Sequence, residues 1–143
     1  MGNTIVAIVS GSDDAVTFGP HITLTATGTD LDSDISVRFT NAGLIEADAG
    51  QIDINGNGPK LNTGVIRIAN GGLVRVTGVT LNNTDGDIEV QSGATLNLAG
   101  CTVTGGVVRA QGAITTSSTN NLGVTLLPAG PVAGTLSITG PSP

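Results

Sequence analysis

The chain has 143 residues, of which 38 % are hydrophobic but only 1 % aromatic, and it contains no Trp and no Tyr. Charged residues make up 11 % and the net charge is −6, so five scattered cations offer no basic stripe to a nucleic acid, while the hydrophobic share excludes a disordered chain. The apolar inventory is Val, Ile, Leu and Ala, set among many Gly and Thr, which suits thin strands with tight corners and not helices.

Residues 1–40 fit the repeat described below poorly and are expected to form an N-terminal strand and cap. The segment Ile5-Val6-Ala7-Ile8-Val9 is apolar on both faces. A strand without a polar face expects cover on both sides. It either folds over its own first coil or docks on a neighbouring subunit by strand addition. These five residues are therefore the candidate subunit interface. The run is short and no cation precedes it, so it does not read as a signal peptide; the chain is expected to be a mature form or not exported by that route. No apolar run approaches the roughly 20 residues of a membrane helix, and no membrane insertion is expected.

His21 is the sole histidine and follows Pro20, with nothing nearby to build a triad or a zinc site. Asp30, Asp32 and Asp34 alternate along Thr29–Asp34. That spacing is similar to a Ca²⁺ loop, in which carboxylate oxygens wrap a hard cation. The Gly and the closing Glu of such a loop are missing, so a solvated acidic loop is expected, with these three Asp the weak metal candidates. Ser12-Asp13-Asp14 and Asp85-Gly86-Asp87 are weaker versions of the same pattern.

From residue 41 to 114 the chain repeats about every 21 residues, a period that means stacked supersecondary units. Ala42-Gly43-Leu44-Ile45-Glu46-Ala47 lines up with Thr63-Gly64-Val65-Ile66-Arg67-Ile68, Asp85-Gly86-Asp87-Ile88-Glu89-Val90 and Gly105-Gly106-Val107-Val108-Arg109-Ala110. Ile52-Asp53-Ile54, Val74-Arg75-Val76 and Leu96-Asn97-Leu98 form a second column. Pro59-Lys60-Leu61, Val79-Thr80-Leu81 and Cys101-Thr102-Val103 form a third, with Val37-Arg38-Phe39 ahead of them. Each piece alternates apolar and polar residues, as a half-buried strand does. The expected fold is all-β: a parallel β-solenoid with three strands per coil, Ile45, Ile66, Ile88 and Val108 stacked inside.

The outward positions support this register. Glu46, Arg67, Glu89 and Arg109 alternate in sign, and Asp53, Arg75 and Asn97 avoid like charges, which directly opposed strands disfavour. The third column places Arg38 beside Lys60 on the outside. Cys101 falls in the inward column of Val79 and is expected to be a small buried hydrophobe; as the only cysteine it permits no internal disulfide. Thr102-Val103-Thr104 suggests an ice-binding Thr ladder, but Lys60 and Arg38 interrupt that column. Asn82-Asn83-Thr84 matches a glycosylation sequon. Residues 115–143 are expected to form a cap: a polar loop, a strand over Leu122–Leu127, and another at Thr135-Leu136-Ser137-Ile138, with Pro128 and Pro131 at edge positions.

Thr63-Gly64-Val65-Ile66-Arg67-Ile68-Ala69-Asn70-Gly71-Gly72 and Gln91-Ser92-Gly93-Ala94-Thr95-Leu96-Asn97-Leu98-Ala99-Gly100 carry a resemblance. The run from Gly43 to Gly112 resembles the parallel β-helix repeats of autotransporter passengers and filamentous haemagglutinin-type adhesins. The resemblance implies an extracellular or cell-surface location and a role in adhesion or as a passive stalk. Phage tail spikes and pectate-lyase-like enzymes share the architecture. No catalytic residues, and no cofactor beyond the Ca²⁺ option, stand out. The leading expectation is a structural subunit that assembles with itself, end to end, into a filament. The alternatives are an adhesin or binding module, against which the missing aromatic faces count for sugar ligands, and a polysaccharide-cleaving enzyme, which would need a positioned acid and base.

Overall fold

Small β-branched residues in alternation, with Gly between them, give short strands and sharp corners. The computed structural model describes residues 15–28, 32–118, 120–128 and 136–139, with Asp32, Pro128 and 136–139 as backbone only. These residues form a parallel β-solenoid of about five turns. The first coil contains β1 (Ala15–Phe18), β2 (Thr23–Thr27) and β3 (Asp32–Ile35); the second contains β4 (Arg38–Asn41), β5 (Leu44–Asp48) and β6 (Gln51–Ile54). The third contains β7 (Lys60–Asn62), β8 (Val65–Ala69) and β9 (Leu73–Thr77), and the fourth β10 (Thr80–Asn82), β11 (Asp87–Val90) and β12 (Thr95–Ala99). In the fifth, β13 (Thr102–Ala110) runs around a corner before β14 (Ala113–Ser117), and β15 (Asn121–Pro128) and β16 (Leu136–Thr139) follow. No helix occurs among the described residues.

Three ladders result. The first face stacks β1, β4, β7, β10 and the starts of β13 and β15. The second stacks β2, β5, β8, β11 and the ends of β13 and β15. The third stacks β3, β6, β9, β12, β14 and β16. Strands β1, β2, β3, β15 and β16 thus join the same faces as the regular repeat. Of the acidic segment expected as a loop, Asp32, Ser33 and Asp34 lie in strand β3, and Thr29, Asp30 and Leu31 lie outside the described residues.

The expected inner stack is present: Ile45 pairs with Ile66, Ile66 with Ile88, and Ile88 with Val108, each at most 4 % exposed. Ile52, Val74 and Leu96 stack likewise. Cys101 is buried, its thiol pushed up from its ordinary pKa by desolvation, with Sγ 3.3 Å from Asn120 Oδ1. On the outside, Arg67 Nε lies 2.8 Å from Glu89 and its Nη1 3.6 Å from Glu46. Arg75 reaches Asp53 at 3.4 Å, and Asn97 donates to Thr115. Arg109 pairs in register with Glu89 but turns diagonally to Asp87 Oδ2, at 2.8 Å.

One strand corrects the sequence reading. Lys60 does not stack outside against Arg38. It pairs with Phe39 on one side and Leu81 on the other, faces inward, and is fully buried. A one-residue slip in a strand exchanges its two faces, and alternation alone had put Leu61 inside. The slip has a cause at the far end of β7. There Asn41, Asn62 and Asn83 stack at the corner between the first two faces, each fully buried. Asn41 Nδ2 donates to Asn62 Oδ1 at 2.7 Å, and Asn62 Nδ2 donates to Asn83 Oδ1 at 2.6 Å. Aligning these amides places Lys60, two residues earlier, in the core column. Its Nζ is satisfied by the carbonyls of Asn57 (3.1 Å) and Gly58 (3.4 Å), and burial lowers its pKa.

The same corner explains the glycine that follows each asparagine. A Cβ on Gly64 would lie 2.3 Å from Gly43 O and 2.7 Å from Ala42 C, backbone atoms of the coil below. Where β13 turns the corner, Gly105 and Gly106 have φ of 73° and 65°, a left-handed geometry that other residues adopt at a cost.

Candidate functional site

The sides of the solenoid carry most of the ionic groups among the described residues. Their ionic groups form ladders along the strands, as described for Arg67, Arg75 and Arg109. The outward column through Thr40, Leu61, Asn82, Thr104 and Gly123 mixes residue types, so no threonine ladder forms there, although Lys60 is not what breaks it. Asn82 of the sequon is exposed, and its Oδ1 accepts from the Thr84 N–H. The middle residue of that motif, Asn83, belongs to the buried amide stack. His21 is exposed in the turn after β1.

The acidic candidates are only partly placed. Asp30 lies outside the described residues. Asp32 and Asp34 share a face of β3, and Asp34 is exposed and pairs in register with Asp53. No group of three or more His, Cys, Asp or Glu side chains converges among the described residues. The interface candidates Ile5, Val6, Ala7, Ile8 and Val9 also lie outside the described residues.

What the fold does bring together is at its C-terminal end. By register, Leu122 continues the inward column of Val103, and Leu126 that of Val108. Val103 and Val108 are buried, yet Leu122 is 41 % exposed and Leu126 45 % exposed. These are core positions left uncovered because no further rung stacks on β15 among the described residues. Behind them lies an apolar chamber of about 200 Å³, reaching down past Val124 and Ile114 to Leu98 and Val76. The lining side chains among the described residues are all aliphatic. The chamber's walls are apolar and its mouth is open to solvent, so covering it with apolar side chains is favourable by about 25 cal/mol per Å² of apolar surface removed from water. Filling it is a driving force for whatever covers the end.

The opposite end is less open. The inward residues Val16, Phe18 and Leu24 of β1 and β2 are half-buried, and the Phe18 and Phe39 rings pack with centroids 6.3 Å apart. Ile22, between β1 and β2, is 50 % exposed. Sequence reasoning pointed to the ends through the failing repeat, but it missed the chamber. The signal was present in Leu122 and Leu126, which continue the apolar alternation of β13 after an irregular corner; the bulge between Thr104 and Val107 hid the alignment.

No family model, no curated protein and no solved structure matches this chain.

Proposed function

We propose that this chain is a structural subunit that assembles with itself, end to end, into a filament or surface appendage outside the cell. The observation that carries the reading is the uncovered core at the C-terminal end: Leu122 and Leu126 occupy inward columns but face solvent. Stacked parallel strands present unpaired N–H and C=O groups at each end, and such edges recruit further strands. A contact between unlike ends does not close into a ring unless its rotation allows it, and so generates a fibre. The paired charges along the sides suit a shaft that stays soluble while its ends associate. The resemblance of the coils to autotransporter and haemagglutinin-type passengers supports a place at the cell surface.

Electron microscopy of the purified protein tests this. Filaments whose axis follows the solenoid stack are expected, and deletion of residues 1–10 is expected to abolish them while leaving the β-sheet circular dichroism unchanged. Continued polymerisation of the deleted protein rejects the role of the N-terminal strand. A monodisperse small species at high concentration rejects the filament and favours a binding module.

A further inference from the structure

We infer that the C-terminal mouth is the socket for the Ile5–Val9 segment of a second copy, which lies across the mouth between the two ends and sends side chains into the chamber. The inference rests on the end-to-end reading and names the surface that receives the strand. The chamber, about 200 Å³, exceeds the roughly 150 Å³ apolar cavity that accepts a benzene ring, so it has room for aliphatic side chains. Its entrance is lined by Leu122 and Leu126, and its backbone edge is β15, which pairs only with β13 among the described residues.

The occupant follows from the sequence and from reach. Among the residues outside the described set, Ile5–Val9 is the longest run of Val, Ile, Leu and Ala. Being apolar on both faces, it needs cover on both faces. A junction between two solenoid ends supplies that: one face meets the chamber of the neighbour, the other meets Val16, Phe18 and Leu24 of its own first coil. The connector Ser10-Gly11-Ser12-Asp13-Asp14 is polar throughout.

For the whole segment to lie across it, the mouth of the same molecule is out of range. Fully extended, the chain from Val9 to Ala15 covers at most about 21 Å. The stack from β1 through β4, β7, β10 and β13 to β15 advances five rungs, about 24 Å along the axis. Val9 therefore cannot lie beside its own β15, whereas Val9 of another copy can.

The test uses two full-length variants. Leu126→Asp charges the mouth and leaves the strand intact; Val6→Asp with Ile8→Asp charges the strand and leaves the mouth intact. Sedimentation velocity is expected to show polymer for the parent chain and monomer for each variant alone. Mixed in equal amounts, the variants should form a one-to-one dimer and no polymer, because each supplies the half the other lacks. Circular dichroism confirms that each variant is folded; if Leu126→Asp is not, Leu122→Ser replaces it. A mouth variant that polymerises like the parent, while the strand variant is monomeric, overturns the socket and leaves end-to-end assembly standing. A mixture that stays monomeric also overturns it. A monomeric parent chain overturns both readings.

Discussion

Replacing Asn62 with Ala removes the middle member of the buried amide stack. Asn62 accepts from Asn41 Nδ2 at 2.7 Å and donates to Asn83 Oδ1 at 2.6 Å. Each buried hydrogen bond contributes about 1 kcal/mol net, which gives about 2 kcal/mol for the pair. Asn41 keeps a second acceptor, the Val65 carbonyl at 3.1 Å. Losing its donor leaves Asn83 Oδ1 buried, a penalty of about 1–3 kcal/mol. The total is about 3–5 kcal/mol, a large share of the 5–15 kcal/mol that holds a typical domain. For a chain of this size the melting temperature should fall by roughly 10 °C. Thermal unfolding followed by circular dichroism measures it. Asn97→Ala, which breaks only the half-buried bond to Thr115, is the control and should cost no more than about 1 kcal/mol. The reasoning fails if Asn62→Ala melts no lower than Asn97→Ala. Asn62→Asp sharpens the test. It sets a buried carboxylate against Asn83 Oδ1, which raises the folded-state pKa of the new group. The folded protein then binds the proton more tightly than the unfolded chain, so stability is kept at acid pH and lost as pH rises through the carboxylate range.

Four further outcomes are expected. Lys60→Met should raise stability at neutral pH by about 1 kcal/mol, because the Asn57 and Gly58 carbonyls it leaves can turn to water. In the parent chain the lowered Lys60 pKa means the unfolded state binds the extra proton, so stability should rise with pH below 10.5; the rise should vanish in the variant, as seen in urea midpoints against pH. Gly64→Ala should prevent normal folding or cost more than about 3 kcal/mol, read as loss of soluble β-sheet signal, since its Cβ meets fixed backbone of the coil below. Arg67→Glu should align three carboxylates along one ladder with Glu46 and Glu89, destabilising by about 1 kcal/mol at low salt and much less at 1 M salt, measured as melting temperature. Cys101 should resist a thiol reagent in the native state and react promptly in denaturant, because it is buried and burial holds its thiol protonated.

The columns of Ile45, Ile66, Ile88 and Val108 were legible because each coil repeats one decision: which side chain faces in. The charges on Glu46, Arg67 and Glu89 checked that decision independently, since a register error scrambles their signs. Reading failed where two rules conflicted. Apolar alternation favours Leu61 inside; amide stacking through Asn62 favours Lys60 inside, and the amides prevail. Buried polar partners at a 21-residue spacing decide the matter through hydrogen bonds between coils, which a hydrophobic pattern does not display. The chamber was hidden for a related reason. Its walls come from β9, β11, β12, β13, β14 and β15, and a volume shared by six strands has no local signature. The diagonal choice of Arg109, Asp87 over Glu89, is a matter of side-chain reach and not of register.

The amide stack at the corner also bears on how such a chain grows. Each asparagine donates to the amide of the coil above it, from Asn41 to Asn62 to Asn83, and the last one donates onward to backbone carbonyls of Gly86, Gly105 and Val107. Every member thus has the same job, whatever its place in the row. A tandem duplication of the 21-residue cassette 63–83 would insert one more amide between two existing ones, satisfy it at once, and lengthen the stack by about 4.8 Å. Length in this architecture is then set by copy number and not by a unique core. A gene encoding it can lengthen or shorten its product one coil at a time with the amide row kept satisfied, while Arg67 and Arg75 would each meet their own copy and call for a change of charge.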